Sequence, residues 1–129
     1  MFFYLSVQQV EQIHDVSIRQ FGGSHGVRSK ELLESAVFRM QATFGGEDLY
    51  KDIFDKAAAL LESLCKNHPF IDGNKRAAFT CAVTFLELNN YDIKFDKEET
   101  EKMMVKVAAS KFSFEEIAKF LKENYQKYR

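Results

Sequence analysis

The sequence predicts an all-α fold, with six helices packed as a bundle around a central apolar helix. Apolar residues recur at intervals of three and four along most of the chain, which is the period of an amphipathic helix. Most of these apolar runs follow a serine, aspartate or asparagine, the residue types that cap helix N-termini. No segment has a convincing strand pattern, and no sequence repeat recurs at a fixed period.

Length and composition predict one domain spanning residues 1–129. A chain of 129 residues is long enough for a single core and too short for two. Hydrophobic residues make up 46% of the chain, which argues against disorder. Eighteen basic side chains against nineteen acidic ones give a net charge of −1, which argues against direct nucleic-acid binding. The apolar residues 1–5 are too few for a signal peptide or a membrane span, so we expect a soluble cytoplasmic protein.

The first two helices are marked by their ends. Ser6 and Gln9 form a capping box that begins the first helix, and Gly22-Gly23 ends it. Ser29 caps the second helix.

The third helix is predicted roughly over residues 49–67, and Pro69 ends it. His68 leaves helical geometry because it precedes a proline. The fourth helix begins near Asn74 and is apolar on nearly all sides, which is typical of a helix at the centre of a bundle.

The last third of the chain begins with a short extended connection at residues 91–95. Asp96 with Glu99, and Ser113 with Glu116, then form two further capping boxes. These boxes begin the fifth and sixth helices.

Residues 68–76, HPFIDGNKR, gather polar groups between the two most apolar helices. Asp72-Gly73 is typical of a turn, and the next three residues form the first turn of the fourth helix. The unpaired backbone N–H groups there attract anions. Lys75 and Arg76 add two cations at this positive helix end, which is unfavourable unless an anion lies among them. The pattern predicts a polyphosphate site.

Asp72 and His68 extend this prediction to catalysis. A carboxylate that faces phosphate is repelled unless a divalent cation such as Mg²⁺ bridges the two, so Asp72 is the candidate metal ligand. His68 can take a proton from a hydroxyl near neutral pH, as a general base does. Together these groups favour phosphoryl or nucleotidyl transfer. An ordinary corner between two helices also favours His, Asp, Gly and Asn, so the residues alone leave that structural interpretation open.

Residues 68–76 resemble the signature of the Fic/Doc family, whose Fic branch has the pattern H-P-F-x-[D/E]-G-N-G-R-x-x-R. Lys75 replaces the second glycine of that pattern. In having lysine at this position, the sequence resembles the death-on-curing (Doc) toxins of toxin–antitoxin modules. Residues 21–28, 32–36 and 42–46 are also similar to Doc-type toxins. The resemblance covers roughly residues 4–95 and implies a Fic/Doc bundle.

The resemblance also implies residue roles, with ATP as substrate and Mg²⁺ as cofactor. His68 would be the catalytic base that activates a target hydroxyl, and Asp72 would bind the metal. The nucleotide would be bound by four consecutive residues: Gly73, Asn74, Lys75 and Arg76. The two cations among them would also act in catalysis by neutralising charge on the transferring phosphate.

Two departures from the Fic pattern bear on which group is transferred. Lys75 replaces a glycine and Phe79 replaces the second arginine, and both changes remove anchors for ATP in the adenylylating orientation. In the Doc branch the nucleotide lies the other way round, and its γ-phosphate passes to a threonine of elongation factor Tu, which stops translation. The resemblance therefore implies a protein Ser/Thr kinase toxin. Two alternatives remain: adenylyl transfer to a protein hydroxyl, and a catalytically inactive helical module that binds an antitoxin.

Residues outside the signature bear on partners. Residues 43–50 either take the place of the Fic flap that aligns a target segment or form an ordinary connecting loop. The inhibitory pattern [S/T]-x-x-x-E-[G/N] of some Fic proteins has its nearest match from Thr43 to Glu47, but Asp48 follows. We therefore expect inhibition by a Phd-like antitoxin that docks a helix in an apolar groove. His14 is expected to be structural.

Overall fold

The computed structural model describes residues 1–127 and confirms the all-α class. The six helices found in that range are α1 (Val7–Phe21), α2 (Lys30–Phe38), α3 (Ile53–Asn67), α4 (Asn74–Leu88), α5 (Lys97–Ala108) and α6 (Phe114–Glu123). A short 3₁₀ helix, Arg39–Gln41, follows α2. Of the helices in residues 1–127, none is long and apolar enough to span a bilayer.

The predicted helix caps are present. The Ser6 hydroxyl accepts a hydrogen bond from the Gln9 N–H, and the Gln9 side chain accepts one from the Ser6 N–H, so this capping box is complete. Ser113 and Glu116 form the second complete box. Asp96 caps α5 by accepting from the Glu99 N–H, but within residues 1–127 the Glu99 side chain does not accept from the Asp96 N–H, so the capping box predicted there is only half formed.

The structure differs from the prediction in having two short antiparallel sheets. The first is a hairpin in which β1 (Thr43–Phe44) pairs with β2 (Glu47–Asp48) across two glycines of positive φ. The Asp52 side chain caps α3 by accepting from the Phe54 N–H, so the helix begins at Ile53, later than the predicted residue 49. In the second sheet, β3 (Tyr91–Ile93) pairs with β4 (Tyr125–Lys127), so part of the predicted extended connection is a strand.

The core lies between α3 and α4, which pack closely together, while α2, α5 and α6 also pack on α3. Completely buried side chains of this pair include Leu60, Leu61, Leu64, Ala78 and Phe85. Both ends of the α3–α4 turn are therefore fixed to buried helices. The predicted polyphosphate site, residues 68–76, begins in that turn and continues into the first turn of α4.

Candidate active site

The turn between α3 and α4 has left-handed backbone at both ends. His68 is the C-cap of α3, with φ 49° and ψ 55°. Gly73 is the N-cap of α4, with φ 73°. Glycine takes this conformation without steric cost, whereas a histidine is held in it by its surroundings. The turn thereby places the His68 side chain near the N-terminus of α4, where both line the same cavity.

Arg28 provides much of the support for His68. Its Nε donates to the His68 carbonyl at 2.7 Å, and its Nη2 donates to the Asn67 carbonyl at 2.8 Å. The backbone N–H groups of Arg28 and Ser29 both donate to the Pro69 carbonyl, at 2.7 and 3.1 Å. Because the last carbonyls of a helix have no partner within the helix, these bonds satisfy the end of α3 and fix the turn beside it.

Asn74 holds the middle of the turn through its side chain. Its Oδ1 accepts from the Phe70 N–H and its Nδ2 donates to the Phe70 carbonyl, both at 3.0 Å, and the residue is 8% exposed. The side-chain amide is therefore engaged with the backbone of Phe70. Asn74 can contribute to the predicted anion cradle through its backbone N–H.

Asp72 is exposed and accepts hydrogen bonds through both carboxylate oxygens. Oδ2 accepts from the Ser24 N–H at 3.1 Å, and Oδ1 accepts from the Gly73 N–H at 2.8 Å. Gly23 lies so close that a Cβ there would be 2.8 Å from Oδ2, which explains the glycine. Each oxygen of an ionised carboxylate keeps acceptor capacity beyond these bonds, so Asp72 can still bind a cation.

His14 lies behind the turn, in the structural position expected of it. It is 1% exposed, and its ring stacks on Phe70 with centroids 3.8 Å apart. Its Nε2 lies 2.7 Å from the carbonyl oxygen of Asp72. A carbonyl only accepts hydrogen bonds, so Nε2 carries the proton and donates it. His14 thus fixes the backbone of the metal-ligand candidate.

A cavity of about 740 Å³ opens at the N-terminus of α4. It is lined by all six residues predicted to be catalytic, nucleotide-binding or metal-binding: His68, Asp72, Gly73, Asn74, Lys75 and Arg76. Apolar side chains from α4, α5 and the segment between them form another part of its wall: Phe79, Phe95, Met104 and Val105. Ligand pockets commonly have about 300–1,000 Å³, so a nucleotide can be accommodated.

In the part of the chain that the structure describes, the charged side chains of this cavity are not paired with opposite charges. Within residues 1–127, no ion pair includes a residue from 68 to 76. The Arg76 guanidinium instead lies over the ring of Phe21, with Cζ 4.2 Å from the ring centroid. These charges remain available to a ligand.

Phe79 stands where the Fic pattern has its second arginine. It is 8% exposed and packs edge-on against Phe95, with ring centroids 4.9 Å apart. This part of the cavity wall therefore has an aromatic pair where the Fic pattern places a cation.

The hairpin lies outside this cavity, since none of the described residues that line the cavity belongs to it. The hairpin is attached to α3 by Lys56, a completely buried residue whose Nζ lies 3.0 Å from Asp48 Oδ2. The same amine donates to the Met40 carbonyl at 3.3 Å and faces the rings of Phe2 and Tyr4. The hairpin's role as a flap stays a prediction.

Residues 1–127 offer little support for two other kinds of chemistry. No group of three or more His, Cys, Asp or Glu residues in that range could hold a metal ion. Burial raises the pKa of the thiols of Cys65 and Cys81, which disfavours the nucleophilic thiolate at neutral pH. The charged turn is therefore the better candidate for catalysis.

Sequence reasoning missed Arg28 and Phe21, two residues that contact the site from outside the signature. Arg28 is 40 residues from His68, and Phe21 belongs to the last turn of α1. One signal was present: a helix that ends abruptly before a proline needs donors for its last carbonyls, and arginine is a suitable one. Nothing local in the sequence connects Phe21 with Arg76.

Comparison with known proteins gives three similarities. The model of the Fic/DOC family matches residues 4–86. "Toxin Doc" of Mycolicibacterium smegmatis is 46% identical over 100 residues, which cover 76% of this chain and 77% of that protein. "Protein kinase doc" of Escherichia phage P1 is 30% identical over 122 residues, which cover 95% of each chain.

Proposed function

This chain belongs to the Fic/Doc family, and we propose that it is the toxin of a toxin–antitoxin module and an ATP-dependent protein kinase. Its substrate would be a Thr or Ser hydroxyl of a translation factor, with elongation factor Tu as the expected target. Phosphorylation of that factor would arrest translation in the cytoplasm. The relatives named "Toxin Doc" and "Protein kinase doc" support both parts of the proposal.

One observation carries the proposal most directly: a base, a carboxylate and two cations line one cavity and are not paired with opposite charges of the chain within residues 1–127. Phosphoryl transfer depends mainly on positioning and on stabilising charge around the transferring group. An ordinary corner between helices needs no such set of unpaired charges. The catalytically inactive alternative is therefore less favoured.

The N-terminus of α4 would bind the phosphates. The backbone N–H of Asn74 lies at the positive end of the α4 dipole, which attracts anions, whereas the Gly73 N–H donates to Asp72 and leaves Gly73 the role of shaping the turn. Lys75 and Arg76 follow on the first turn, and both are exposed in the cavity. These groups would hold the terminal phosphate and neutralise charge on it as transfer proceeds.

The residues present fit a magnesium ion. Mg²⁺ is commonly held by one or two carboxylates together with substrate phosphates and water, and Asp72 offers one carboxylate beside the predicted phosphate cradle. The Ser24 and Gly73 N–H groups fix the orientation of that carboxylate. When bound there, the ion would supply positive charge that stabilises the negative charge of the phosphates.

His68 would act as the general base. As the target hydroxyl oxygen forms its bond to the γ-phosphorus, the hydroxyl proton passes to the imidazole. The bond between the γ-phosphorus and the bridging oxygen breaks, and ADP leaves with that electron pair. Arg28 supports this step by fixing the backbone on which His68 stands.

The orientation of the nucleotide decides between kinase and adenylyltransferase. Phe79 offers no charge to a phosphate further along α4, and Lys75 has a side chain where glycine would leave the backbone open. ATP in the adenylylating orientation would lose contacts to its outer phosphates. With the γ-phosphate at the cradle, both cations act on the transferring group.

A Phd-like antitoxin is the proposed partner, and its helix would dock in a groove of about 380 Å³ between α1 and α4. The groove includes the apolar side chains of Ile13 and Val16, and its wall is mostly apolar. Phe21 and Thr80 line both this groove and the catalytic cavity, so a helix there would lie beside Arg76. Val16→Glu should abolish rescue of growth by the co-expressed antitoxin, whereas Leu88→Glu on the far end of α4 should not.

The kinase proposal is tested with labelled ATP. The purified chain is incubated with Mg²⁺, a bacterial lysate or purified elongation factor Tu, and ATP labelled at either the γ- or the α-phosphate. Transfer of the γ-label, with the mass of one phosphoryl group on a Thr or Ser, is expected. Transfer of the α-label would favour the adenylyltransferase, and transfer of neither label would favour the inactive module.

A further inference from the structure

Phe21 is an exposed aromatic residue at the end of α1. It is the last residue of that helix and 60% exposed, although burial of a phenylalanine ring would stabilise the folded protein. Gly22 and Gly23 follow it, and Gly23 packs directly against Asp72. The Ser24 N–H then donates to the Asp72 carboxylate. The chain segment that carries Phe21 is thus attached to the active-site turn.

The ring of Phe21 lies against the guanidinium of Arg76. The distance from Cζ to the ring centroid is 4.2 Å, well within the range of a cation–π interaction. Neither a hydrogen bond nor an ion pair restrains the Arg76 side chain in the described part of the chain. The ring is therefore the principal restraint on a long side chain with many rotamers.

This arrangement leaves Arg76 able to bind phosphate. A guanidinium that stacks through its face keeps its N–H donors in its own plane, where they can form bidentate bonds to phosphate oxygens. The ring and a phosphate thus use different parts of the same group. Stacking lowers the conformational freedom that phosphate binding would otherwise remove.

We propose that Phe21 is a positioning residue, which holds the Arg76 guanidinium in the orientation that binds the phosphate of the nucleotide. The proposal rests on the proposed function, since it assigns Arg76 a phosphate. Its expected signature is energetic coupling between residues 21 and 76. A ring that only stabilised the end of α1 would show no such coupling.

The test is a double-mutant cycle on phosphate binding, measured by calorimetry with inorganic tripolyphosphate and Mg²⁺. Phe21→Leu keeps an apolar side chain without the ring and should weaken binding about three- to tenfold. Phe21→Tyr keeps the ring and should restore nearly full affinity. In an Arg76→Ala background, Phe21→Leu should cause no further loss. Phe38→Leu is the matched control, because Phe38 is also the last residue of its helix and is 57% exposed.

Several results would overturn the proposal. These are unchanged affinity in Phe21→Leu, an equal loss with and without Arg76, an equal loss in Phe38→Leu, or no binding of tripolyphosphate by the unmodified chain. Phosphate transfer from labelled ATP is measured separately. Binding and coupling without any transfer would overturn the kinase function alone, whereas transfer without coupling would overturn the role of Phe21 alone.

Discussion

The two connections at the ends of α3 use charged side chains in opposite ways. Before α3, the two hairpin carboxylates pair with lysines further along the chain: Asp48 with Lys56 of α3, and Glu47 with Lys51. In the turn after α3, Asp72 accepts from backbone N–H groups, and Arg28 donates to backbone carbonyls. The carboxylates of the hairpin are thus compensated by opposite charges of the chain.

This difference distinguishes charges that stabilise the fold from charges that are available to bind a ligand. Backbone amides can orient a charged group without cancelling its net charge, so Asp72 keeps a full charge for a ligand. An opposite charge at 3.0 Å, as between Lys56 and Asp48, removes most of that field. The turn is therefore equipped for binding, whereas the hairpin's charges chiefly attach it to α3.

Loss of the base at the turn should have the largest effect. His68→Asn removes the proton acceptor but suits the left-handed backbone, since asparagine tolerates positive φ. The kcat for phosphate transfer should fall about 10²–10⁴-fold, with the melting temperature unchanged. Transfer at the wild-type rate by this variant would show that His68 is a structural cap only. The His25→Asn variant, on an exposed loop residue, serves as control.

The turn should also depend on Asn74 for stability. Asn74→Ala leaves the N–H and carbonyl of Phe70 buried without partners, which should cost about 2–4 kcal/mol of unfolding free energy. Urea denaturation measures this loss. Asn67→Ala removes one long bond, at 3.5 Å, and should cost less than about 1 kcal/mol. Equal losses in the two variants would contradict the conclusion that Asn74 holds the backbone of Phe70.

A smaller effect is expected from the charge of Asp72. Asp72→Asn keeps the size and turn preference of the residue but removes the charge that Mg²⁺ binds, so transfer should fall roughly tenfold to a hundredfold. A magnesium titration should restore little of it. Asp15→Asn changes an exposed aspartate that pairs with His25 and should leave transfer unchanged. Full activity of Asp72→Asn at every magnesium concentration would exclude the metal-ligand role.

The smallest effect belongs to the hairpin. Asp48→Ala removes the carboxylate that pairs with the buried amine of Lys56. The amine keeps its contacts with the Met40 carbonyl and two aromatic rings, so the free energy of unfolding should fall by only about 1–2 kcal/mol. Adding Lys56→Met should recover most of this loss, because the buried charge is then gone. If the double variant is less stable than Asp48→Ala, the amine stabilises the fold by itself. Phosphate transfer measured in parallel tests the flap prediction.

Local chemistry made much of the fold predictable. Ser6 with Gln9, and Ser113 with Glu116, lie within one turn of each other, so their pattern can be recognised in sequence. The β3–β4 pairing joins segments that are distant in sequence and depends on packing. The periodicity within either segment therefore does not predict it. The predicted start of α3 is too early because apolar spacing continues back to Leu49, whose N–H instead donates to the Ala42 carbonyl, while Asp52 caps the helix.

The candidate site was predictable to the extent that it lies in one short segment. Residues 68–76 carry every predicted group, and the structure brings all of them to one cavity. The supporting contacts of Arg28, His14 and Phe21 come from α1 and the loop after it. Their side chains reach the turn only after the chain has folded back on itself.

The complete burial of Lys56 has a consequence for measuring motion in this molecule. An amine-reactive reagent can reach its Nζ only while the packing around the hairpin and α3 is open. The labelling rate of this one lysine, divided by the rate in the unfolded chain, therefore gives the equilibrium constant for that opening. Exposed lysines such as Lys51 react in the closed state and provide an internal reference in the same sample. Labelling of Lys56 thus measures the local unfolding equilibrium of the hairpin and of α3, which supports it.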